Sequence, residues 1–130
     1  MATVLLETGM VAMREPETTL TLDTPGGAIE VVAQCGDGRC RNVRIRNVPC
    51  FVAKLDANIE VTGQGTVDCD IAYGGAFFAI VDAPGLGFAL TPDEARDLVE
   101  MGERIKSAVV AQYPVRHPEN PDIHSVTFTQ

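Results

Sequence analysis

Four cysteines carry the most versatile chemistry in this sequence: Cys35, Cys40, Cys50 and Cys69. A thiolate can act as a nucleophile, a base or a metal ligand, but a zinc site needs further ligands at regular spacing. Cys35 and Cys40 flank a predicted tight hairpin, which leaves a redox or metal role open beside ordinary packing. Cys50 and Cys69 fall in apolar strand patterns with no histidine nearby in sequence. This setting favours packing roles for both.

The two histidines and the acids between them could be drawn as a metal site. His117, Glu119, Asp122 and His124 are donors of the right chemical type. Their spacing matches no helical or hairpin ligand pattern, so no metal site is predicted. A basic hairpin face is interpreted as a solvated strand surface. It comprises Arg39, Arg41, Arg44 and Arg46.

The adjacent glycines Gly74 and Gly75 join two apolar strand patterns. Glycine at such a point permits a positive φ or lets a ligand or another backbone segment approach closely. Both are therefore candidates for substrate binding. They are not a dinucleotide fingerprint, because no Gly-x-Gly-x-x-Gly opens a helix after them.

Alternation of apolar and polar residues predicts several strands that would position these groups. The strand patterns cover 19–23, 29–34, 41–48, 51–52, 58–62, 67–71 and 124–129. Turns are predicted at 25–27 and 63–65, and the loop 35–40 is predicted to close a hairpin; each of the three contains two glycines. The continuous apolar run Ala76–Val81 indicates a strand buried on both faces, whereas Val67, Cys69 and Ile71 indicate one buried face.

Helical signals occur at two places. Thr91, Pro92 and Glu94 predict a helix N-terminus, with acidic residues Asp93, Glu94 and Asp97 favourably placed toward its dipole. One stripe follows at three- and four-residue spacing until Pro114: Ala95, Leu98, Val99, Gly102, Ile105, Ala108, Val109 and Gln112. Near the start, Val4–Met10 resembles the end of a helix closed by Gly9, with no helix start before it. The pattern as a whole is mixed α/β.

Composition excludes several classes of function. Ten Lys+Arg against 18 Asp+Glu leave a net charge of −8, which disfavours a nucleic acid partner. The longest apolar run has six residues, far below the roughly 20 that span a bilayer, so no membrane segment is expected. The first residues lack a basic region followed by a long apolar stretch, so no secretory signal is predicted. With few cysteines, we expect a reduced, cytoplasmic protein.

Three blocks in order resemble the proline racemase superfamily: Leu22–Gly27, Asn47–Val52 and Asp70–Val81. The opening Glu7–Val11 and the tail with His117–Pro118 and 123–128 are also similar to it. The resemblance implies a diaminopimelate-epimerase-like α/β fold, with curved mixed sheets around a long central helix in each of two lobes. On this basis 1–70 is expected to be the remainder of the N-terminal lobe and 71–130 the start of the C-terminal lobe.

The same resemblance implies a cofactor-independent enzyme acting at the α-carbon of proline or hydroxyproline. Family members use a Cys-Gly-His segment, expected before Met1, and an Asp-x-Ser-Pro-(Cys or Thr)-Gly-Thr segment, expected after Gln130. The chain is therefore expected to be an internal segment without catalytic residues, inactive alone. No cofactor, metal, nucleic acid or membrane partner is implied. Exposed strand edges suggest a homo-oligomer.

Two residues bear on the branch of the superfamily. Ala76 stands where racemases and epimerases typically carry Asn, and it resembles trans-3-hydroxy-L-proline dehydratases. Ser125 lies where some 4-hydroxyproline epimerases place a substrate-contacting His, and it is a further candidate for substrate binding. The sequence thus favours the dehydratase, with proline racemase or 4-hydroxyproline epimerase as the alternative. A truncated, non-catalytic product is the remaining alternative.

Overall fold

A computed structural model describes residues 1–130 and shows a mixed α/β chain with two sheets and one long helix. The helices are α1 (Ala2–Glu7) and α2 (Ala95–Gln112). The strands are β1 (Glu17–Thr24), β2 (Gly27–Gly36), β3 (Arg39–Arg46), β4 (Phe51–Val61), β5 (Gly65–Tyr73), β6 (Phe77–Val81) and β7 (Val126–Thr129). Single 3₁₀ turns lie at Pro84–Leu86 and Pro92–Glu94.

The chain divides into two compact units, Met1–Val48 and Pro49–Gln130. Each unit contains one complete sheet. The boundary expected at 70/71 falls inside β5, and β5 is hydrogen-bonded on both sides within the second sheet. The assignment of these stretches to the two lobes of the family fold stays a prediction.

The first unit is an antiparallel sheet of order β1-β2-β3, closed by two short turns. Asp37 and Gly38 form the turn between β2 and β3 with φ values of 55° and 70°. Two consecutive positive φ angles match the twist of a two-residue hairpin, and Gly adopts them without steric cost. The sequence prediction of a hairpin here is confirmed.

Helix α1 packs on this sheet through Leu6, which belongs to a buried cluster with Ala33 and Cys35. The helix ends at Glu7, and Gly9 follows the C-cap Thr8 with a φ of 75°. This agrees with the predicted role of Gly9 as the helix-closing residue.

The second unit is a four-stranded sheet of order β4-β5-β6-β7, in which only β6 and β7 run parallel. The connection between these two strands carries α2, as a parallel pair requires a long crossover. Ile105 and Val109 of α2 are fully buried, and so are Ile59, Ile71 and Phe77 of the sheet.

Several predicted details of this unit were wrong. The segments 51–52 and 58–62 are one strand, β4, with a register irregularity between Val52 and Ala57. The run 76–81 is buried on one face only, because Ile80 is 42% exposed. Val99 is 68% exposed and, like the exposed Ala95 and Gln112, lies outside the buried stripe of α2. The last strand begins at Val126, after Ser125.

Glu94 organises the start of α2. Its carboxylate accepts hydrogen bonds from the backbone N–H groups of Thr91 and Ala89, at 3.0 Å each, and from the Thr91 hydroxyl at 3.2 Å. With Pro92 in the first position, this is the predicted capping box, although the first turn is 3₁₀. These hydrogen bonds to the charged form lower the pKa of Glu94, the backbone bond to Thr91 most strongly.

The other end of α2 covers part of the β4 edge. The Gln112 side chain accepts the Glu60 backbone N–H at 3.0 Å and donates to the Glu60 carbonyl at 2.9 Å. The next residue, Tyr113, donates its hydroxyl to the Asn58 carbonyl at 3.5 Å. None of the helices combines the length and the apolar character needed to cross a membrane.

The capping box predicts a pH-dependent contribution of Glu94 to stability. Because its pKa is lower in the folded chain, the ionised carboxylate stabilises the fold above the ordinary value of about 4.3, and this stabilisation is lost as the pH falls through the folded pKa. We expect Glu94→Gln to lower the denaturation midpoint at neutral pH. The difference from the parent chain should shrink below pH ~4.

The measurement is denaturant unfolding followed by far-UV circular dichroism at several pH values. Asp97→Asn is the matched control, because it removes the same charge from the first turn of α2 without touching the capping box. Equal destabilisation by both variants at neutral pH would mean that only the helix dipole is involved.

Candidate functional site

The candidate site lies at one end of the four-stranded sheet, where β5 turns into β6. Phe51 pairs with Tyr73, Tyr73 pairs with Phe77, and Phe77 pairs with Val126. One terminus of each of the four strands therefore meets at this end, which we call the turn end of the sheet and define by these four residues.

Gly74 and Gly75 form the turn at this end. The Gly74 N–H donates to the Ala76 carbonyl at 3.0 Å, which fixes the tight bend. Gly75 has a φ of 97°, a conformation that residues with a side chain rarely adopt. Gly74 has no such angle, and a Cβ atom there would lie 3.6 Å from the Cys50 sulfur, an ordinary van der Waals distance. The two neighbouring glycines thus meet different constraints.

Ser125 reaches the same end of the sheet from the far end of the crossover. It is exposed and directly precedes Val126, the first residue of β7. Because β7 runs parallel to β6, the residue before Val126 and the residue before Phe77 emerge at the same end. The structure therefore places all three residues proposed from the sequence as substrate contacts at the same end of the sheet.

An aromatic cluster that sequence reasoning missed lies beneath this end. Tyr73 stacks on Phe51 with ring centroids 5.1 Å apart and meets His117 edge-on at 4.5 Å. Phe77 completes the cluster, 5.1 Å from Tyr73. Tyr73 is buried, and its hydroxyl has no hydrogen-bond partner within the chain. No sequence motif links His117 to these strands; the crossover brings them together.

His117 is held in a defined orientation. Its Nδ1 atom accepts hydrogen bonds from the backbone N–H groups of Glu119 at 3.2 Å and Asn120 at 3.1 Å. A nitrogen that accepts carries no proton, so the neutral ring is protonated on Nε2. No group of three His, Cys, Asp or Glu side chains lies close enough to hold a metal ion.

The cysteines of this unit differ from one another. Cys69 is buried, and burial raises the pKa of its thiol, as do the charges of Asp70 and Asp68. A protonated, buried thiol is a packing group, as predicted. Cys50 is exposed and precedes β4, so its prediction as a packing residue was wrong. Pro49 before it has no backbone N–H to donate to a sheet, and the strand begins only after Cys50.

In the first unit, Cys35 is buried and Cys40 half-buried, and none of the four cysteines forms a disulfide. The predicted solvated basic face is confirmed. All four arginines are exposed. Arg41 is 2.7 Å from Asp37 and Arg46 is 3.9 Å from Glu30, and both acidic side chains are largely exposed too.

Comparison with known families identifies the chain. The family model described as proline racemase matches residues 1–130. The chain belongs to the proline racemase family. The family that the three ordered blocks predicted is therefore confirmed.

Two solved structures of family relatives superpose on nearly the whole chain. The first is a probable proline racemase from Agrobacterium radiobacter K84 with bound carbonate; it is 41% identical with a TM-score of 0.92. The second is a hydroxyproline epimerase from Agrobacterium vitis with bound trans-4-hydroxy-L-proline; it is 44% identical with a TM-score of 0.91. Each match covers 98% of this chain, but the chain spans only 38% and 37% of these two proteins.

The double glycine provides a test of the turn geometry. We expect Gly75→Ala to destabilise the second unit by about 1–2 kcal/mol, because alanine is strained at positive φ. Gly74→Ala should change stability by less than about 0.5 kcal/mol, since its Cβ meets only an ordinary contact. Denaturant unfolding of the two variants measures the contrast. Equal effects of both substitutions would contradict the described turn.

Proposed function

We propose that this chain is part of a cofactor-independent enzyme that inverts the α-carbon of a proline-type amino acid, with 4-hydroxyproline as the favoured substrate and proline as the alternative. The observation that carries the proposal is the 44% identity, over 98% of the chain, to a hydroxyproline epimerase with bound trans-4-hydroxy-L-proline. The 41% identity to a probable proline racemase supports the second substrate.

This proposal departs from the branch that the sequence favoured. The dehydratase interpretation depended on Ala76 and, more weakly, on Ser125 in place of a histidine. The two relatives described above are a racemase and an epimerase by name, and neither supports dehydration. One position beside a turn is weaker support than identity along the whole chain.

For the fold, we infer that each compact unit contributes to a diaminopimelate-epimerase-like lobe, in which a sheet curves around a central helix. The match to racemase and epimerase structures supports this, although it covers less than two-fifths of each. Under this proposal α1 is the continuation of a helix whose N-terminus carries the first catalytic thiol.

The proposed chemistry needs two thiols on opposite faces of the substrate. One removes the α-proton and the other delivers a proton to the opposite face, which inverts the carbon. A helix N-terminus beside each thiol favours its thiolate form and holds the substrate carboxylate. Neither family segment that supplies these thiols occurs in residues 1–130, so Cys35, Cys40, Cys50 and Cys69 have no catalytic role in the proposal.

The residues of this chain would then contact the substrate without transferring its proton. At the turn end of the sheet, Gly74 and Gly75 carry no side chain that would keep a ligand from the backbone, and the exposed Ser125 hydroxyl can hydrogen-bond a polar group. We propose that this end of the sheet contacts the substrate in the complete enzyme.

Proton exchange distinguishes the three reactions. The enzyme encoded by the complete reading frame is incubated in D₂O with trans-4-hydroxy-L-proline, L-proline or trans-3-hydroxy-L-proline and followed by ¹H NMR. An epimerase or racemase exchanges the α-proton and yields the inverted isomer, and we expect this first with 4-hydroxyproline. Loss of water from 3-hydroxyproline without inversion of the other two would overturn the proposal in favour of the dehydratase. The 130-residue chain alone, as the parallel sample, should show no exchange above background.

A substitution at Ser125 tests the contribution of the turn end. In the complete enzyme, Ser125→Ala should raise KM about 3- to 10-fold, the effect of one lost hydrogen bond, with kcat changed less. Thr127→Ala is the control, because it removes an exposed hydroxyl from β7 two residues further along. If the two variants have the same KM as the parent enzyme, Ser125 does not contact the substrate.

A further inference from the structure

Cys35 and Cys40 are register partners in the hairpin formed by β2 and β3, on the turn side of a register irregularity between Gln34 and Cys35. The two-residue turn makes Gly36 and Arg39 the hydrogen-bonded pair that closes the hairpin. Antiparallel pairs alternate, so the next pair, Cys35 with Cys40, is a non-hydrogen-bonded pair. Its two side chains project from the same face of the sheet.

The backbone contacts of the two cysteines agree with this register. The Cys35 N–H donates to the Pro16 carbonyl at 2.8 Å, away from β3. The Cys40 N–H donates to the Glu7 carboxylate of α1 at 2.9 Å, away from β2. Both backbone N–H groups thus donate away from the partner cysteine. In a regular pair of this kind the Cα atoms are about 4.5 Å apart, within the range of about 4.4–6.8 Å that a disulfide spans. The irregularity lies on the side of the pair away from the turn, between Gln34 and Cys35, so Cys35 and Cys40 keep the register that the turn sets.

Both sulfurs belong to one environment. Cys35 is a member of the buried cluster under α1, and Cys40 packs against that cluster. The Cys35 sulfur is 3.7 Å from the Thr18 hydroxyl, and the Cys40 sulfur accepts from the Thr3 hydroxyl at 3.8 Å. Closing a bond between the sulfurs requires rotation of both side chains away from these hydroxyls, without a change of strand register.

We propose that Cys35 and Cys40 are a redox modification site that forms a reversible intramolecular disulfide with a small disulfide oxidant such as oxidised glutathione. The half-buried Cys40 reacts first: its thiolate attacks the oxidant, a mixed disulfide forms and one glutathione thiolate leaves. The Cys35 thiolate then attacks the Cys40 sulfur, the cross-strand bond forms and the second glutathione thiolate leaves. The protein loses two electrons and two protons, and the oxidant is reduced to two thiols.

The position explains why the bond would be reversible. A bond across adjacent strands closes a loop of only a few residues, so it gains little from restricting the unfolded chain. It also gives up the two hydroxyl contacts to Thr3 and Thr18. Cysteine pairs that behave this way in a reducing cytoplasm, the location expected from the sequence, are redox-sensing rather than structural.

Tryptic mass analysis tests the proposal directly, because Arg39 lies between the two cysteines. The enzyme encoded by the complete reading frame is equilibrated with reduced and oxidised glutathione, alkylated and cleaved with trypsin. If the bond exists, the dipeptide Cys40–Arg41 stays attached to the peptide that ends at Arg39, and a reductant releases it. We expect this linked species in the parent enzyme and in Cys50→Ser, and its absence in Cys40→Ser.

A second measurement shows whether the folded hairpin, rather than the short separation of the two cysteines in sequence, favours the disulfide. The equilibrium constant for bond formation against glutathione should be at least about tenfold larger in the folded chain than in concentrated guanidinium chloride, because the hairpin holds the two cysteines opposite each other. Equal constants would overturn the proposal. Oxidation that stops at a glutathione adduct on Cys40 would overturn it too, as would complete alkylation of both thiols after equilibration.

Discussion

The parallel pairing of β6 with β7 is the constraint on which the second unit depends. Parallel neighbours cannot be joined by a tight turn. After β6 ends, the chain must therefore run back along the sheet to the end where β6 began before β7 can start. Helix α2 occupies that return path and covers the sheet with Ile105 and Val109. The same direction of β7 delivers Ser125 to the end where Gly74 and Gly75 lie. An antiparallel β7 would place Ser125 at the opposite end.

Features with local causes could be predicted from the sequence. The hairpin turn at Asp37 and Gly38, the closing residue Gly9 and the capping box at Glu94 each depend on a few consecutive residues. The alternation around Cys69 is equally local, because a strand with one buried face repeats every second residue. The family could also be predicted, since three ordered blocks of residues are a more specific signal than any one of them.

Features that depend on distant partners could not be predicted. Ile80 is apolar but exposed, and composition cannot show which face of a strand a neighbour covers. Cys50 lies in an apolar stretch yet is exposed, because strand pairing begins one residue later. The contact of His117 with Tyr73 requires the whole crossover. The sequence could therefore name Gly74, Gly75 and Ser125 as candidates, but only the fold shows their arrangement and the aromatic cluster beneath them.

The bonds between Gln112 and Glu60 have a consequence for how the sheet can grow. An outer strand exposes amides and carbonyls that any passing extended peptide could use. Here the side-chain amide of Gln112 bonds the backbone N–H and the carbonyl of Glu60 at once, as a peptide group of a neighbouring strand would. The Tyr113 hydroxyl bonds the carbonyl of Asn58. An additional strand would have to displace the helix end or stop short of these residues. The last turn of α2 thus blocks the addition of a strand to this part of the β4 edge.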